Sequence, residues 1–230
     1  MLIEYKGVKP KHILMKVTSR NRPEQLIKCI KAYLELAVDT TAMTWLISLD
    51  TDDDKCNSLG FIDSIRTIIN EPTIVFGASH NKIHAINRDV DYVKEWDILL
   101  NISDDQTPCV RGYDEIIRDS MPNDLDASLW FYDGAQPRIN TMEIQGRNYY
   151  NRLGYIYNPI YKSFYCDNEA TEVAYNLEKL IKSSQCIIRH DHPACHHATS
   201  LKHDALYERN QTYWNADQET FYKRRANNYK

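Results

Sequence analysis

The stretch Trp96-Asp-Ile-Leu-Leu-Asn-Ile-Ser-Asp-Asp-Gln-Thr-Pro108 decides the fold of this chain. Its apolar part, Ile98 to Ile102, is bounded by polar residues, which predicts a strand buried on both faces. Because Pro108 lacks the N–H that a ladder needs, the strand should end before it, with Asp104 and Asp105 at its carboxyl end. In open α/β sheets, ligands bind at that edge.

Asp104 and Asp105 form an acidic pair that needs a neutralising partner. Two adjacent carboxylates repel one another, and ligands that are all oxygen favour a hard divalent cation such as Mn²⁺ or Mg²⁺. An acidic turn that binds no metal is the alternative, since Asp is common in turns. The pair alone leaves both interpretations open.

Strands and helices alternate along the first half of the chain. Hydrophobic periodicity predicts strands at 12–18, 44–49, 73–76 and 98–102, and helices at 23–36, 61–69 and 81–93. This alternation is typical of βαβ units with a largely parallel sheet. No Gly-x-Gly-x-x-Gly or Gly-x-x-x-x-Gly-Lys-Ser/Thr loop follows a strand, so dinucleotide-binding and P-loop folds lose their main support.

The second half of the sequence is less regular. Its pattern predicts a short helix at 113–119, strands at 129–132 and 186–189, a helix from Glu169 to about Ile181, and a polar, helical C-terminal tail. The tail is expected to present a solvated face. The alternative is that Tyr207, Arg209, Arg224 and Arg225 close over a diphosphate.

Composition narrows the class of protein. With 230 residues and 43% hydrophobic side chains, the chain can fold as one domain with a substantial core. It has no apolar run long enough to span a membrane and no signal-peptide pattern, so we expect a cytoplasmic protein. Its six cysteines include no Cys-x-x-Cys pair, which favours reduced thiols. The net charge of −4 gives no overall signature of nucleic-acid binding, although residues 1–34 carry eight Lys and Arg against two Glu.

Four short motifs follow one another in a characteristic order. They are Thr18-Ser-Arg-Asn-Arg-Pro23, Asp50-Thr-Asp-Asp53, Asp104-Asp105 and Cys166-Asp-Asn-Glu169. Over roughly residues 12–200, this order resembles the metal-dependent glycosyltransferases of the GT-A fold, particularly the family 2 type. The resemblance implies an α/β, Rossmann-like nucleotide-sugar-binding fold with a mostly parallel central sheet flanked by helices. It implies one domain over 1–230, with a nucleotide-sugar half (about 12–108), an acceptor and catalytic half (about 109–200) and the tail (201–230).

The resemblance assigns nucleotide-sugar binding to residues that follow the first two strands and open the third helix. Contacts to the base and ribose would come from Thr18, Ser19, Arg20, Arg22 and Asp50, and a contact to a phosphate from Lys82.

The metal site that the resemblance implies departs from the family pattern. Ser103-Asp-Asp-Gln106 stands in place of the usual Asp-x-Asp, which leaves open whether Asp104 or Asp105 binds Mn²⁺ or Mg²⁺ directly. A C-terminal histidine often supplies a further ligand, and His192 is the candidate, with His190 second. One alternative is a surface histidine. The other is a zinc site whose ligands would be too crowded for the usual paired spacing: His190, His192, Cys195, His196 and His197.

The resemblance makes Asp167 the general base that removes the proton from the acceptor hydroxyl. A carboxylate within hydrogen-bond reach of that hydroxyl is what this step requires. Glu169 is the alternative base or an acceptor contact, and a helix N-cap is the purely structural interpretation of Asp167. One base and a single in-line attack invert the anomeric configuration, and no second nucleophile is evident.

The sequence therefore predicts a metal-dependent inverting glycosyltransferase. It would move a sugar from a nucleotide-diphosphate sugar, a UDP-sugar above all, to an acceptor hydroxyl. The acceptor would be a glycan or, as the alternative, a hydroxymethylated base of phage DNA. Two other classes stay open: a catalytically silent nucleotide-sugar-binding protein, and a metal-dependent nucleotide phosphohydrolase built on Asp50–Asp54.

Overall fold

The computed structural model of the chain describes residues 9–191 and 205–230. The strands in these ranges are β1 (Ile13–Thr18), β2 (Met43–Asp50), β3 (Thr73–Gly77), β4 (Ile98–Ser103), β5 (Gln106–Pro108), β6 (Ser128–Phe131), β7 (Ile144–Gly146), β8 (Leu180–Ser183) and β9 (Ile188–His190). The helices are α1 (Pro23–Leu36), α2 (Leu59–Ile68), α3 (Lys82–Asn87), α4 (Tyr113–Ser120), α5 (Arg147–Leu153), α6 (Cys166–Asn176), α7 (Ala205–Gln211) and α8 (Trp214–Ala226). Within the same ranges, no helix is both long and apolar enough to cross a membrane.

Seven of the strands form a central sheet in the order β3-β2-β1-β4-β7-β6-β8. β1 pairs in parallel with β2 and β4, β2 with β3, and β6 with β8, while β7 is antiparallel to both of its neighbours. Thr18 lies opposite Ser48 on one side and Ser103 on the other, so the carboxyl ends of three strands meet at one edge. The predicted α/β fold with a mostly parallel sheet is confirmed.

Side chains of β1 alternate between two hydrophobic layers. Ile13, Met15 and Val17 pack into the larger layer with residues of α1, α2 and α4, and Leu14 packs into the smaller one with residues of α3, α6 and α8. This alternation follows from the two-residue period of a strand. Helices therefore cover both faces of the sheet and hold its carboxyl edge rigidly.

The strand that carries the acidic pair ends at Ser103, close to where the sequence predicts. Asp104 and Asp105 form a turn, and Gln106–Pro108 returns as β5, antiparallel to β9 in a separate two-stranded sheet. Pro108 is tolerated because it is the last residue of a short ladder at an edge, where the missing donor costs little. The prediction that the strand ends before Pro108, with the acidic pair at its carboxyl end, is confirmed, although Pro108 itself lies in the short ladder of β5 with β9.

The helix predicted at 81–93 is shorter in the structure. It ends at Asn87, and a separate 3₁₀ turn follows at Val90–Tyr92. Between them Asp89 adopts a left-handed backbone conformation with φ 75°, which a continuous α-helix does not accommodate.

The helix predicted to reach Ile181 also ends early, at Asn176. Glu178 is left-handed (φ 57°), and Leu180–Ser183 then pairs with β6 as β8. Pairing with a neighbouring strand overrides an apolar pattern that fits a helix, because short apolar runs suit both structures. The strand predicted at 186–189 lies at Ile188–His190.

Candidate active site

A cleft of about 890 Å³, part of it open to solvent, lies at the carboxyl edge of β1, β2 and β4. α3 and α7 form its other walls. The cleft brings together eight of the residues predicted from the sequence: Thr18, Ser19, Arg20, Arg22, Asp50, Lys82, Asp104 and Asp105. Adjoining it is a cavity of about 500 Å³ that shares Thr18 and Lys82 with the cleft and contains Asp167 and His190.

At one end of the cleft, Asp50 closes β2 and is paired with Arg20. The Arg20 guanidinium donates to Asp50 Oδ2 at 2.7 Å and to both oxygens of Asp52 at 2.6 and 2.8 Å. Asp50 Oδ1 is buried and accepts no hydrogen bond from any described residue, although Arg88 Nη2 lies 3.8 Å away. The cleft therefore offers one carboxylate oxygen as an acceptor to a ligand.

Three carboxylates of the acidic run Asp50–Asp54 are bound by other groups of the protein. Arg20 binds Asp50 and Asp52, and the buried Asp53 accepts hydrogen bonds from the backbone N–H groups of Asn21 and Cys56 at 2.7 and 3.2 Å. These carboxylates fix the loop after β1 to the loop after β2. In the described part of the chain, no three or more His, Cys, Asp or Glu side chains gather in a way that could hold a metal ion.

Asp104, at the middle of the cleft, is saturated by side chains of the first motif. Ser19 Oγ donates to its carboxylate at 2.6 Å, Arg22 Nη1 at 3.1 Å and Gln25 Nε2 at 3.4 Å. Burial, and then the charge of Asp105, raise the pKa of Asp104 to about 6. Asp104 thus holds the first motif in place and has little capacity left for a cation.

Asp105 differs from its neighbour. Its Oδ2 accepts a hydrogen bond from the Tyr207 hydroxyl at 3.2 Å and lies 3.5 Å from His190 Nε2, whereas its buried Oδ1 has no hydrogen-bond partner among the described residues. Burial alone would raise the pKa of Asp105, but the contact with His190, the charge of Lys82 and the Ser103 hydroxyl together outweigh burial and hold the pKa well below its usual range. A buried, ionised carboxylate with an unpartnered oxygen is suited to a cation.

His190 closes β9 and reaches Asp105 across the β5–β9 ladder. Its backbone N–H donates to the Asp133 carbonyl at 2.9 Å, and its Nδ1 lies 3.7 Å from Asp133 Oδ2. Burial lowers its pKa, but the two carboxylates outweigh burial and raise it to about 9. His192 lies outside the described residues, as do Cys195, His196 and His197, so the metal and zinc predictions for them stay predictions.

Asp167 lies in the first turn of α6, on the wall of the smaller cavity. The N-cap is Tyr165, so the purely structural interpretation of Asp167 as an N-cap was wrong. The carboxylate accepts a hydrogen bond from the backbone N–H of Asn168 at 2.9 Å, and burial raises its pKa. A partly buried carboxylate with a raised pKa can accept a proton from a hydroxyl.

Glu169 lines neither cavity. It is buried and accepts hydrogen bonds from Asn158 at 2.7 Å, from the Tyr161 hydroxyl at 2.7 Å, and from the Arg224 guanidinium at 2.7 and 2.9 Å. These contacts anchor α8 to α6. The carboxylate has no access to an acceptor from this position.

Asp217 on α8, which the sequence did not single out, shapes the wall of the smaller cavity. Its buried carboxylate accepts backbone N–H hydrogen bonds from three successive residues, Lys162, Ser163 and Phe164, at 2.8 to 3.3 Å. Ser163 lines both cavities, and the loop leads directly into α6. An aspartate within a polar helix gives no local signal for such a contact.

The tail also contributes to the cleft through α7. Leu206, Tyr207, Arg209 and Asn210 line it, and the Arg22 guanidinium lies 4.4 Å from the centre of the Tyr207 ring. The expectation that the whole tail is a solvated face was therefore wrong. The alternative, that the tail closes over a diphosphate, agrees with where Tyr207 and Arg209 lie. It does not agree with Arg224 and Arg225, which pair with Glu169 and Glu172 on α6.

Comparison with solved structures gives the class of fold. The chain has a GT-A glycosyltransferase fold, which confirms the fold expected from the sequence. Over 84% of its length it matches S. aureus TarS 1-349 in complex with UDP-GlcNAc, with a TM-score of 0.62 and 12% identity. Over 78% it matches the mannosyltransferase PcManGT from Pyrobaculum calidifontis in complex with GDP-Man and Mn²⁺, with a TM-score of 0.59 and 11% identity.

These likenesses are of fold rather than of sequence. The chain covers 62% of the TarS chain and 55% of the PcManGT chain, so it spans less than two thirds of either. No protein-family model and no curated protein sequence matches it.

Proposed function

We propose that the protein is a metal-dependent, inverting glycosyltransferase that uses a nucleotide-diphosphate sugar. One observation carries the proposal: a single cleft gathers the cationic and hydroxyl groups of the first motif, Asp50 and the acidic pair, and Asp167 lies in the cavity beside it. The known proteins with this fold support it, since one was solved with UDP-GlcNAc and another with GDP-Man and Mn²⁺.

The donor we propose is a UDP-sugar. Asp50 offers one oxygen without a hydrogen-bond partner among the described residues, since Arg20 occupies the other. Uracil presents a single ring N–H, which one carboxylate oxygen satisfies. Guanine presents two adjacent N–H groups that would need both oxygens, so a GDP-sugar would leave one donor unpaired. Lys82 and Arg22 supply positive charge for the diphosphate.

Mn²⁺ or Mg²⁺ fits beside Asp105, where its binding would displace the proton that Asp105 and Asp133 hold on His190. The buried Oδ1 of Asp105 lacks a hydrogen-bond partner in the described part of the chain, and a hard cation of this kind commonly takes one or two protein ligands and completes its shell with substrate phosphates. Bound there, the ion would act as a Lewis acid for the charge that develops on the leaving diphosphate. His192 remains a proposed additional ligand.

Asp167 is the proposed general base. Among the described residues that line the smaller cavity it is the one carboxylate, and its raised pKa favours proton uptake from an acceptor hydroxyl. A single carboxylate supports direct displacement with inversion rather than a covalent intermediate. Glu169, the other candidate for the general base, is already paired with Arg224. The acceptor we propose is a glycan; the alternative, a modified DNA base, has no feature of the site in its favour.

One observation favours a second candidate, a nucleotide-sugar-binding protein without turnover. Arg22 and Ser19 saturate Asp104, so the acidic pair offers a cation fewer oxygens than two independent carboxylates would. Such a protein would bind the donor but transfer nothing.

A thermal-shift panel of UDP-sugars and GDP-sugars, each with and without Mn²⁺, tests the proposal. At a donor concentration of about 100 times Kd, binding should raise Tm by about 5–10 °C. We expect this rise for a UDP-sugar only when Mn²⁺ is present, together with release of UDP. No rise with any donor would refute the proposal. Binding without UDP release would favour the silent protein, and nucleotide hydrolysis without donor specificity would favour the phosphohydrolase.

A further inference from the structure

Two cysteines lie side by side at the open end of the β5–β9 ladder. Cys109 follows β5 and Cys186 precedes β9, 77 positions apart in the chain, and their Sγ atoms are 3.8 Å apart. The backbone N–H of Cys109 donates to the Ile187 carbonyl at 2.9 Å, so the ladder itself holds the two positions together. This proximity comes from the fold, since nothing in the local sequence pairs these residues.

The pair differs from the other described cysteines in access to solvent. Cys109 is exposed and Cys186 is half-buried, whereas Cys29, Cys56 and Cys166 are buried. Disulfide sulfurs are bonded at about 2.05 Å. The remaining gap is short enough to close by rotation of the two side chains, while the backbone stays paired.

The two thiols have different roles in oxidation. Burial, followed by the neighbouring Cys109, raises the pKa of Cys186 to about 12, so Cys186 is a poor first nucleophile. Cys109 is the accessible thiol and is expected to react first. Once Cys109 is part of a disulfide, its negative charge and its hydrogen bond no longer oppose ionisation of Cys186, which can then react in turn.

We propose that Cys109 and Cys186 form a reversible disulfide that joins β5 to β9. The oxidant is a low-molecular-weight disulfide, RSSR. The Cys109 thiolate attacks RSSR, forms a mixed disulfide and releases RS⁻. Cys186 loses its proton and attacks the Cys109 sulfur, which forms the Cys109–Cys186 bond and releases the second RS⁻. In sum, two protein thiols are oxidised and RSSR is reduced to two RSH.

The position of this bond determines what it would stabilise. Asp105 directly precedes β5, His190 closes β9, and the backbone N–H of Asp191 donates to the Asp105 carbonyl at 2.8 Å at the other end of the same ladder. A two-stranded ladder is marginal by itself. A covalent bond at its open end would keep the two strands paired, and with them the spacing of Asp105 and His190.

Oxidised glutathione at neutral pH, followed by alkylation of remaining thiols and peptide mapping without reduction, tests the proposal on the wild-type chain. We expect a peptide pair linked through Cys109 and Cys186, its loss on reduction, and a rise in Tm of about 5 °C or more, because the bond closes a long loop.

Matched variants separate this pair from the remaining thiols. Cys109→Ser and Cys186→Ser should each abolish the linked peptides and the rise in Tm, and Cys29→Ser should abolish neither. Cys109 recovered only as a glutathione adduct, or bonded to Cys195 or to a second copy of the chain, would overturn the proposal. So would a linked pair that forms without any gain in Tm, since the bond would then not brace the ladder.

Discussion

Replacing Arg224 with Met should destabilise the protein far more than the same change at its neighbour, Arg225. Both arginines are on α8 and each pairs with a glutamate of α6. Arg224 donates to Glu169 at 2.7 and 2.9 Å, and the Glu169 side chain is 3% exposed. Arg225 contacts Glu172 at 3.0 Å, with side chains 55% and 34% exposed. Arg224 also donates to the backbone carbonyls of Tyr229 and Lys230 at 2.9 and 3.4 Å, so its substitution removes more contacts, and more deeply buried ones, than the substitution of Arg225.

The expected magnitudes follow from solvation. Without Arg224, the charge of Glu169 stays buried with only neutral donors, Asn158 and Tyr161, and breaking a buried pair in this way costs about 3–5 kcal/mol. An exposed pair such as the one at Arg225 contributes less than about 1 kcal/mol. Converted to Tm, Arg224→Met should cost about 10 °C and Arg225→Met no more than about 4 °C.

Urea unfolding followed by far-ultraviolet circular dichroism measures both losses, with m-values compared to verify that each variant unfolds in one step. The double substitution Glu169→Leu with Arg224→Met should recover part of the loss because no charge is left buried. Recovery stays incomplete, since Asn158 and Tyr161 lose their acceptor. Equal losses at the two arginines, or a loss below about 1 kcal/mol at Arg224, would refute the role of this ion pair as the anchor of α8.

Three further predictions concern the acidic pair in the cleft, Asp167 in the smaller cavity and the buried Lys16. Asp105→Asn should weaken Mn²⁺ binding at least about tenfold more than Asp104→Asn does, as measured by calorimetry in the presence of UDP. Equal effects of the two substitutions would contradict the unequal roles of Asp104 and Asp105. Asp167→Asn should lower kcat by about 10²–10⁴ and leave the donor Kd unchanged, and an unchanged kcat would remove Asp167 from the mechanism. In the wild type, the pKa that governs the acidic limb of the kcat/KM–pH profile should lie above the usual range for Asp, because burial raises the pKa of Asp167. Lys16 is fully buried against Ser48, and burial lowers its pKa to about 7. Since the unfolded chain then binds more protons than the folded one between about pH 7 and 10.5, wild-type stability should rise across that window, by on the order of 5 kcal/mol in total, relative to Lys16→Met. Parallel stability curves for the two proteins would show that Lys16 is solvated.

The sequence predicts those parts of the fold that depend on residues close together in the chain. The apolar run Ile98–Ile102 with polar residues on both sides suffices for a buried strand, and the acidic pair after it must then lie at the ligand-binding edge. The first two helices likewise follow from their apolar stripes, and the third does so only as far as Asn87. Leu180 and Ile181 were assigned to a helix because the strand that contains them depends on β6, a partner some 50 residues earlier.

The candidate site could be predicted in part for the same reason. The residues proposed to bind the donor lie at or just after strand ends, and they come together in one cleft as expected. The inequality of Asp104 and Asp105 could not be predicted, since it depends on Ser19 and Arg22, more than 80 positions away, and on His190, 85 positions away in the other direction. The pairing of the Glu169 carboxylate could not be predicted either, because its partner, Arg224, lies 55 positions away in the chain.

The contact between Asp217 and the loop 162–164 makes the smaller cavity depend on a helix that does not line it. Every described residue that lines this cavity precedes α8, yet the loop that contains Ser163 is fixed by a carboxylate 53 to 55 positions beyond it. A chain cut before α8 would keep the complete described lining of the smaller cavity in its sequence and still lose the acceptor that holds one of its walls in place.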